Sequence, residues 1–236
     1  MADVADVPSN LTVVRSRIEA ACRAAGRDPD SVRLLPVSKN HGLEAVRQAW
    51  QAGVRRLGEN RVQEAADKWR DTQDLAGLEW AMIGHLQTNK ARDVARFAAE
   101  FQALDSLRVA RELDKRLQAI GRGLDVLIEV NSSGEPQKYG VAPEDVPVLA
   151  AQLRACDALR VRGLMTVAVN SDDPDRVAAC FDRVRQLAVR LRDDDRVGGS
   201  WEELSMGMSG DFELAIAHGA TCVRIGTAIF GPRAYR

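Results

Sequence analysis

The sequence lacks most of what would mark it for nucleic acid, a membrane or the extracellular space. Over 236 residues its 33 Lys and Arg are balanced by 34 Asp and Glu, so no broad cationic surface is offered to nucleic acid or anionic lipid. A local anion site stays open. Cys22, Cys156, Cys180 and Cys222 are scattered without a C-x-x-C pair, which argues against a zinc site or a disulfide framework and for reduced thiols in a cytoplasmic protein. No stretch approaches the roughly 18 uninterrupted apolar residues of a membrane span, and MADVADVPSN lacks a basic segment followed by an apolar one. Neither insertion nor secretion is expected. His41, His85 and His218 are isolated and form no H-E-x-x-H pattern, so no metal centre is expected. Lysine is also scarce: only Lys39, Lys68, Lys90, Lys115 and Lys138 occur, every other basic residue being arginine. A lysine in an unusual setting therefore carries information.

What is present is ordinary globular material, 45% hydrophobic and 28% charged. The length admits two small domains or one α/β barrel of roughly 200 to 250 residues. Past a helix at 9–26, short apolar runs alternate with segments of helical period. Strands are predicted at 32–38, 54–58, 79–83, 101–104, 124–130, 161–167, 203–206 and 222–225. Helices are predicted between them at 43–52, 61–69, 89–99, 107–120, 144–155, from Pro174 onward, and at 210–217, with only a brief tail after the last strand. No linker or composition break interrupts the series. The pattern points to an α/β fold, a single (β/α)8 TIM-type barrel with an extra N-terminal helix, spanning 1–236 as one domain. A doubly wound open sheet is the structural rival.

Barrel sites lie at the C-terminal ends of the strands, often with a phosphate pocket in the loops after strands seven and eight. Lys39, in Ser38-Lys39-Asn40 after strand one, is placed to attack a carbonyl as a partly desolvated amine, or to sit at the rim in a salt bridge. Ser209, in SMGMSGD after strand seven, reads as an anion ligand at a helix start or as a simple N-cap. After strand eight, Gly226 allows close backbone approach and Thr227 adds a hydroxyl. Strands eight and one meet when a barrel closes, which sets Lys39 beside this cradle. An amine next to an anion cradle suits a phosphorylated aldehyde: pyridoxal 5'-phosphate (PLP), or a sugar phosphate in a Schiff-base aldolase.

LLPVSKN (34–40), LGENRVQEAADKW (57–69), IGHLQTNK (83–90), KYGV (138–141), RGLMTVA (162–168), LSMGMSGD (204–211) and VRIGTAIFG (223–231) together closely resemble the pyridoxal phosphate homeostasis proteins, known as the YggS or PROSC family. The resemblance covers most of the chain in the same order. It implies one barrel related to the N-terminal domain of alanine racemases, with PLP held on Lys39 as an internal aldimine and its phosphate on Ser209, Gly226 and Thr227. It sets Arg224 against the pyridine nitrogen, where a guanidinium that can only donate would keep that nitrogen unprotonated; phosphate contact and a structural ion pair are the other readings of Arg224. It brings Asn60 near the cofactor together with Met165, which reads equally as core packing. His85 is either a pocket histidine or a surface one. Two departures stand out: Trp80-Ala81-Met82 replaces the W-H-F usual in the family, and Asn40 stands where Thr often follows the lysine.

A racemase needs acid and base groups on both faces of its substrate, and in the resembling racemases a tyrosine from a second domain of the partner subunit is one of them. With five residues after Gly231, no second domain is expected here, and neither Tyr139 nor Tyr235 has an evident catalytic position. The function expected is therefore that of a cytoplasmic PLP carrier, rather than an enzyme, that stores, protects or delivers the cofactor. Its expected partners are PLP and apo-forms of PLP-dependent enzymes, with no nucleic acid and no membrane, and a monomer is expected. A PLP-dependent racemase of low activity is the alternative.

Overall fold

In the computed structural model, residues 6–232 are described; Tyr235 lies outside them. Eight parallel strands run β1 (Arg33–Pro36), β2 (Arg56–Glu59), β3 (Glu79–Met82), β4 (Ala98–Leu104), β5 (Leu124–Glu129), β6 (Leu159–Met165), β7 (Glu203–Ser205) and β8 (Cys222–Ile225). Their order is β1-β8-β7-β6-β5-β4-β3-β2. Between the two ends of that series Val37 bridges Gly58 in parallel, and the Ser38 N–H donates to the Gly58 carbonyl at 3.1 Å. The sheet thus closes on itself as a (β/α)8 barrel, which excludes the doubly wound alternative.

The helices alternate with the strands because each carries one apolar stripe that must be buried against them. They are α1 (Val7–Ala24), α2 (Leu43–Gln51), α3 (Val62–Asp71), α4 (Ala91–Phe97), α5 (Leu107–Gln118), α6 (Val146–Leu153), α7 (Pro174–Arg192), α8 (Phe212–Ala217) and α9 (Thr227–Phe230). On α7 the stripe is Val177, Phe181, Val184, Leu187 and Leu191, and its start is set by Pro174 in the first turn with the Asp173 carboxylate accepting from the Asp175 N–H. The extra helix α1 buries Val7, Leu11, Val14, Ile18 and Cys22 against the outside of the barrel. Asn10 donates from Nδ2 to the Ile229 carbonyl at 2.9 Å, fastening α1 to α9.

Three boundaries differ from the sequence expectation for physical reasons. Strand β4 begins at Ala98, directly after α4, where helix was expected to reach residue 99: Glu100 turns inward to pair with Arg33 and Arg56, and that burial overrides the helix-forming Ala98-Ala99-Glu100. Strand β6 starts two residues early, because Arg160 and Arg162 alternate with buried neighbours and bond Asp125 of β5. The expected tail after β8 instead contains the helical turn α9, buried at Ile229 and Phe230.

The barrel interior holds a connected set of buried polar side chains. Glu100, Gln102 and Ser205 are each no more than 2% exposed. Ser205 Oγ donates to Gln102 Oε1 at 2.7 Å, and Gln102 Nε2 donates to Glu100 Oε1 at 2.5 Å. Glu100 in turn accepts from Arg33 and Arg56, so a buried polar column runs from mid-barrel to the N-terminal rim with each carboxylate paired. Beside it Leu35, Ala81 and Cys222 form a small apolar cluster. Ala81, one of the two departures, is fully buried there and faces the barrel axis.

Candidate functional site

The site is built where β1, β7 and β8 end. The Val37 N–H donates to the Ile225 carbonyl at 2.9 Å, so the chain leaves β1 against the end of β8. An added Cβ on Gly226 would meet the Val37 carbonyl oxygen at 3.2 Å, so the ends of β1 and β8 pack tightly at this glycine. Ser209 Oγ accepts from the Ala228 N–H at 3.4 Å, joining the loop after β7 to the first turn of α9. Thr227, exposed, is the first residue of that turn. Ser209, Gly226 and Thr227 are thereby brought together, and partly buried Lys39 follows Val37 by two residues.

The backbone around Lys39 is fixed by a buried ion pair that sequence reasoning missed. Lys68 of α3 donates to the Ser38 carbonyl at 2.8 Å, to Glu59 Oε1 at 2.6 Å and to Glu64 Oε1 at 2.8 Å. The Ser38 hydroxyl also donates to Glu59 Oε1, and the Asn40 N–H to Glu64 Oε1 at 2.7 Å. Both neighbours of Lys39 are therefore held from below. Burial pushes the Glu59 carboxyl up, and the Lys68 ammonium and the Ser38 hydroxyl offset that only in part. Asn40 itself takes φ +64°, a left-handed conformation that asparagine tolerates and a β-branched threonine does not. The second departure thus has a local structural reason.

Arg224, 4% exposed, points into the barrel from β8. Its Nη1 donates to the Ser205 carbonyl at 2.6 Å and hydroxyl at 2.8 Å, and its Nη2 to the Thr166 carbonyl at 2.7 Å. These three bonds leave donors of the five on a guanidinium directed by a rigid frame. Among the described residues the head is held by carbonyls and a hydroxyl, with no carboxylate within ion-pair distance. Burial lowers its pKa from the ordinary arginine value, opposed by nearby acidic groups.

Met165 is the last residue of β6, not a loop residue, and at 1% exposure it is packed in the core between Glu129 and Ser205 in register. Asn60, half-buried, follows β2, and its backbone lies so close to Gly84 that a Cβ there would meet the Asn60 carbonyl at 2.3 Å. His85 sits on the loop after β3. Its Nδ1 is 2.8 Å from Asp105 Oδ2, and its ring stacks on Tyr139 at 4.2 Å with 9° between planes.

A second missed residue is Glu129, which closes β5. It is 9% exposed, and its Oε2 is buried with no hydrogen-bond partner among the described residues. Burial, reinforced by Asp105 and opposed by Arg224, pushes its carboxyl up to about 7. The signal was Glu129 following the apolar stretch Val126-Leu127-Ile128, which reads as an ordinary polar strand end. Among the described residues no three of His, Cys, Asp or Glu gather as a metal-holding group, and no helix is long and apolar enough to cross a membrane.

Residues 9–234 match the family described as alanine racemase, N-terminal domain. The pyridoxal phosphate homeostasis protein of Pseudomonas aeruginosa is 43% identical over 229 residues, covering 97% of this chain and 96% of that one. That of Escherichia coli K12 is 42% identical over 232 residues, covering 98% of each. Among solved structures, PipY of Synechococcus elongatus with PLP bound aligns with a TM-score of 0.83 at 35% identity, covering 95% of this chain and 100% of that one. An alanine racemase of Clostridium difficile, 16% identical, shares the fold with a TM-score of 0.75 over 98% of this chain and 57% of its own.

Proposed function

The chain belongs to the pyridoxal phosphate homeostasis proteins, built on the alanine racemase N-terminal domain fold, and from that premise we propose that it binds PLP on Lys39 for intracellular storage, protection or delivery. When bound, PLP supplies an aldehyde that condenses reversibly with a primary amine, releasing water. The observation that carries the reading is the junction of Ser209 with Ala228 beside the Lys39 segment.

The residues fit the group. Ser209, Gly226 and Thr227 offer hydroxyl and backbone N–H donors for a phosphate, in line with the anion preference of such loops. Arg224, framed by Ser205 and Thr166, is a fixed donor for the ring nitrogen and, being always protonated, leaves it without a proton. An unprotonated ring is a weak electron sink, which favours holding the cofactor over driving chemistry on it. Asn60 completes the wall, and Met165 backs it from the core. Lys68 and Glu64 orient Lys39 through the backbone of Ser38 and Asn40. We place the protein in the cytoplasm as a monomeric single-barrel unit of residues 1–236, with apo-forms of PLP-dependent enzymes as the recipients. The four cysteines, all buried thiols, accord with a reducing compartment.

Mixing the purified protein with PLP should give a visible absorption band that Lys39→Ala abolishes. A protein that stays colourless with added PLP contradicts the proposal. The racemase alternative predicts steady solvent deuterium incorporation at the α-carbon of amino acids, and the carrier predicts none.

A further inference from the structure

One unbroken line of hydrogen bonds joins the N-terminal rim of the barrel to the Arg224 head. Glu100 Oε1 accepts from Arg33 at 2.5 Å, and Glu100 Oε2 accepts from Arg56 at 2.8 Å. Gln102 Nε2 donates to Glu100 Oε1 at 2.5 Å, and Gln102 Oε1 accepts from the Ser205 hydroxyl at 2.7 Å. Ser205 Oγ in turn accepts from Arg224 Nη1 at 2.8 Å. Glu100, Gln102, Ser205 and Arg224 are all buried, none of them more than 4% exposed, so these links are shielded from solvent.

The line has one direction, and Glu100 sets it. A carboxylate between two guanidiniums only accepts, so the Gln102 amide must turn its NH2 toward Glu100 and its carbonyl oxygen toward Ser205. The Ser205 hydroxyl has a single proton, which that oxygen takes, and a lone pair is what it then offers Arg224. Reversing any member would set donor against donor. Buried hydrogen bonds aligned head to tail reinforce one another, and a buried polar atom that loses its partner is costly, so the frame is stiff. Both Nη1 hydrogens of Arg224 go to Ser205, and one Nη2 hydrogen goes to the Thr166 carbonyl. Of the guanidinium's donors this leaves the second hydrogen on Nη2 and the one on Nε.

We propose that Gln102 and Ser205 are positioning residues for the cofactor, fixing the Arg224 guanidinium in the orientation that presents its remaining hydrogens to the pyridine nitrogen. The inference rests on the reading of Arg224 as the partner of that nitrogen. Ser205 acts through Arg224, and Gln102 acts through Ser205. An arginine is long and its head turns freely unless tied, so a donor fixed beforehand binds its acceptor without first losing that freedom. Cutting the line at Gln102 or at the Ser205 hydroxyl leaves the Ser205 and Thr166 carbonyl bonds in place. The arginine then stays in the barrel, but its head is no longer held from the Glu100 side.

The test uses PLP labelled with nitrogen-15 in its ring, whose resonance moves with the hydrogen bond that nitrogen accepts. Arg224→Leu should move the resonance of the bound cofactor, and Gln102→Met and Ser205→Ala should each move it in the same direction and weaken PLP binding by about 10-fold. Because both cut one line, the double variant should lose no more than either single one. Val177→Ala, in the α7 stripe outside the barrel, lowers stability without touching the line and should leave the resonance in place. Neutron diffraction of the parent protein, which needs no variant to fold, should show the Ser205 hydroxyl proton directed at Gln102 Oε1. A resonance unchanged by both Gln102→Met and Ser205→Ala, additive losses in the double variant, or a Ser205 proton directed away from Gln102 overturns the inference. A resonance that Arg224→Leu leaves unmoved overturns the ring-nitrogen reading of Arg224 and this inference with it, and a parent protein that never loads overturns the reading of Lys39 as well.

Discussion

Glu129 shows how one side chain sets a property of the whole fold. Its carboxyl titrates near 7 in the protein against 4.5 for an ordinary glutamate, with burial as the main cause. Because the folded value is the higher one, the stability of the neutral form is complete below about pH 4.5 and is lost as pH rises through about 7. Glutamine keeps the shape without the charge. In cofactor-free protein, Glu129→Gln should match the parent near pH 4 and exceed it at pH 8 by up to about 3 kcal/mol, read by urea unfolding at each pH. A parent that is the more stable at pH 8 would contradict the assignment. At this scale the sequence was partly legible. Lys39, Ser209, Gly226 and Thr227 were singled out because strand ends in a barrel are special places, and Arg224 because of the family resemblance. Glu129 and Glu59 were not, since nothing in a linear string says whether a carboxylate at a strand end points to water or to the barrel axis.

Between elements, one ammonium ties α3 to the ends of both β1 and β2. Lys68 neutralises Glu59, which is fully buried, and also bonds the Ser38 carbonyl. Lys68→Met should leave an uncompensated buried carboxylate and cost about 3 to 5 kcal/mol, and adding Glu59→Gln should recover part of the loss, measured as a double-mutant cycle by denaturant unfolding. Equal loss in the single and double variants would show that the pair acts only by packing. Strands β6 and β7 approach even more closely: an added Cβ on Gly163 would lie 1.9 Å from the Glu203 carbonyl oxygen. Gly163→Ala should therefore part the two strands that carry Met165 and Ser205, lowering Tm by several degrees for the roughly 1 to 3 kcal/mol of overpacking and weakening PLP binding with it. Element types were legible from alternating period, and the eight strands were anticipated in order. Boundaries slipped where tertiary partners decided them: Glu100 was drawn into β4 by two arginines from β1 and β2, some 40 and more residues away in sequence.

For the molecule as a whole, closure of the ring gives the site its meaning. The bridge from Val37 to Gly58 completes the barrel, and the same stretch of chain carries Lys39 past the end of β8. On the proposed reading, a near-neutral protein can hold a phosphorylated ligand because recognition is confined to the Ser209, Gly226 and Thr227 loops and the framed Arg224. The resemblance carried by seven short segments pointed to Lys39, Ser209, Gly226 and Thr227 as the strand ends did and added Arg224, while the buried Glu129 was invisible to both. The most direct measurement is borohydride reduction of the PLP-treated protein followed by proteolysis and mass spectrometry. The account predicts one pyridoxyl-modified peptide, carrying the label on Lys39, and no such peptide from Lys39→Ala. Label on Lys68, Lys90, Lys115 or Lys138 with Lys39 unmodified would contradict it.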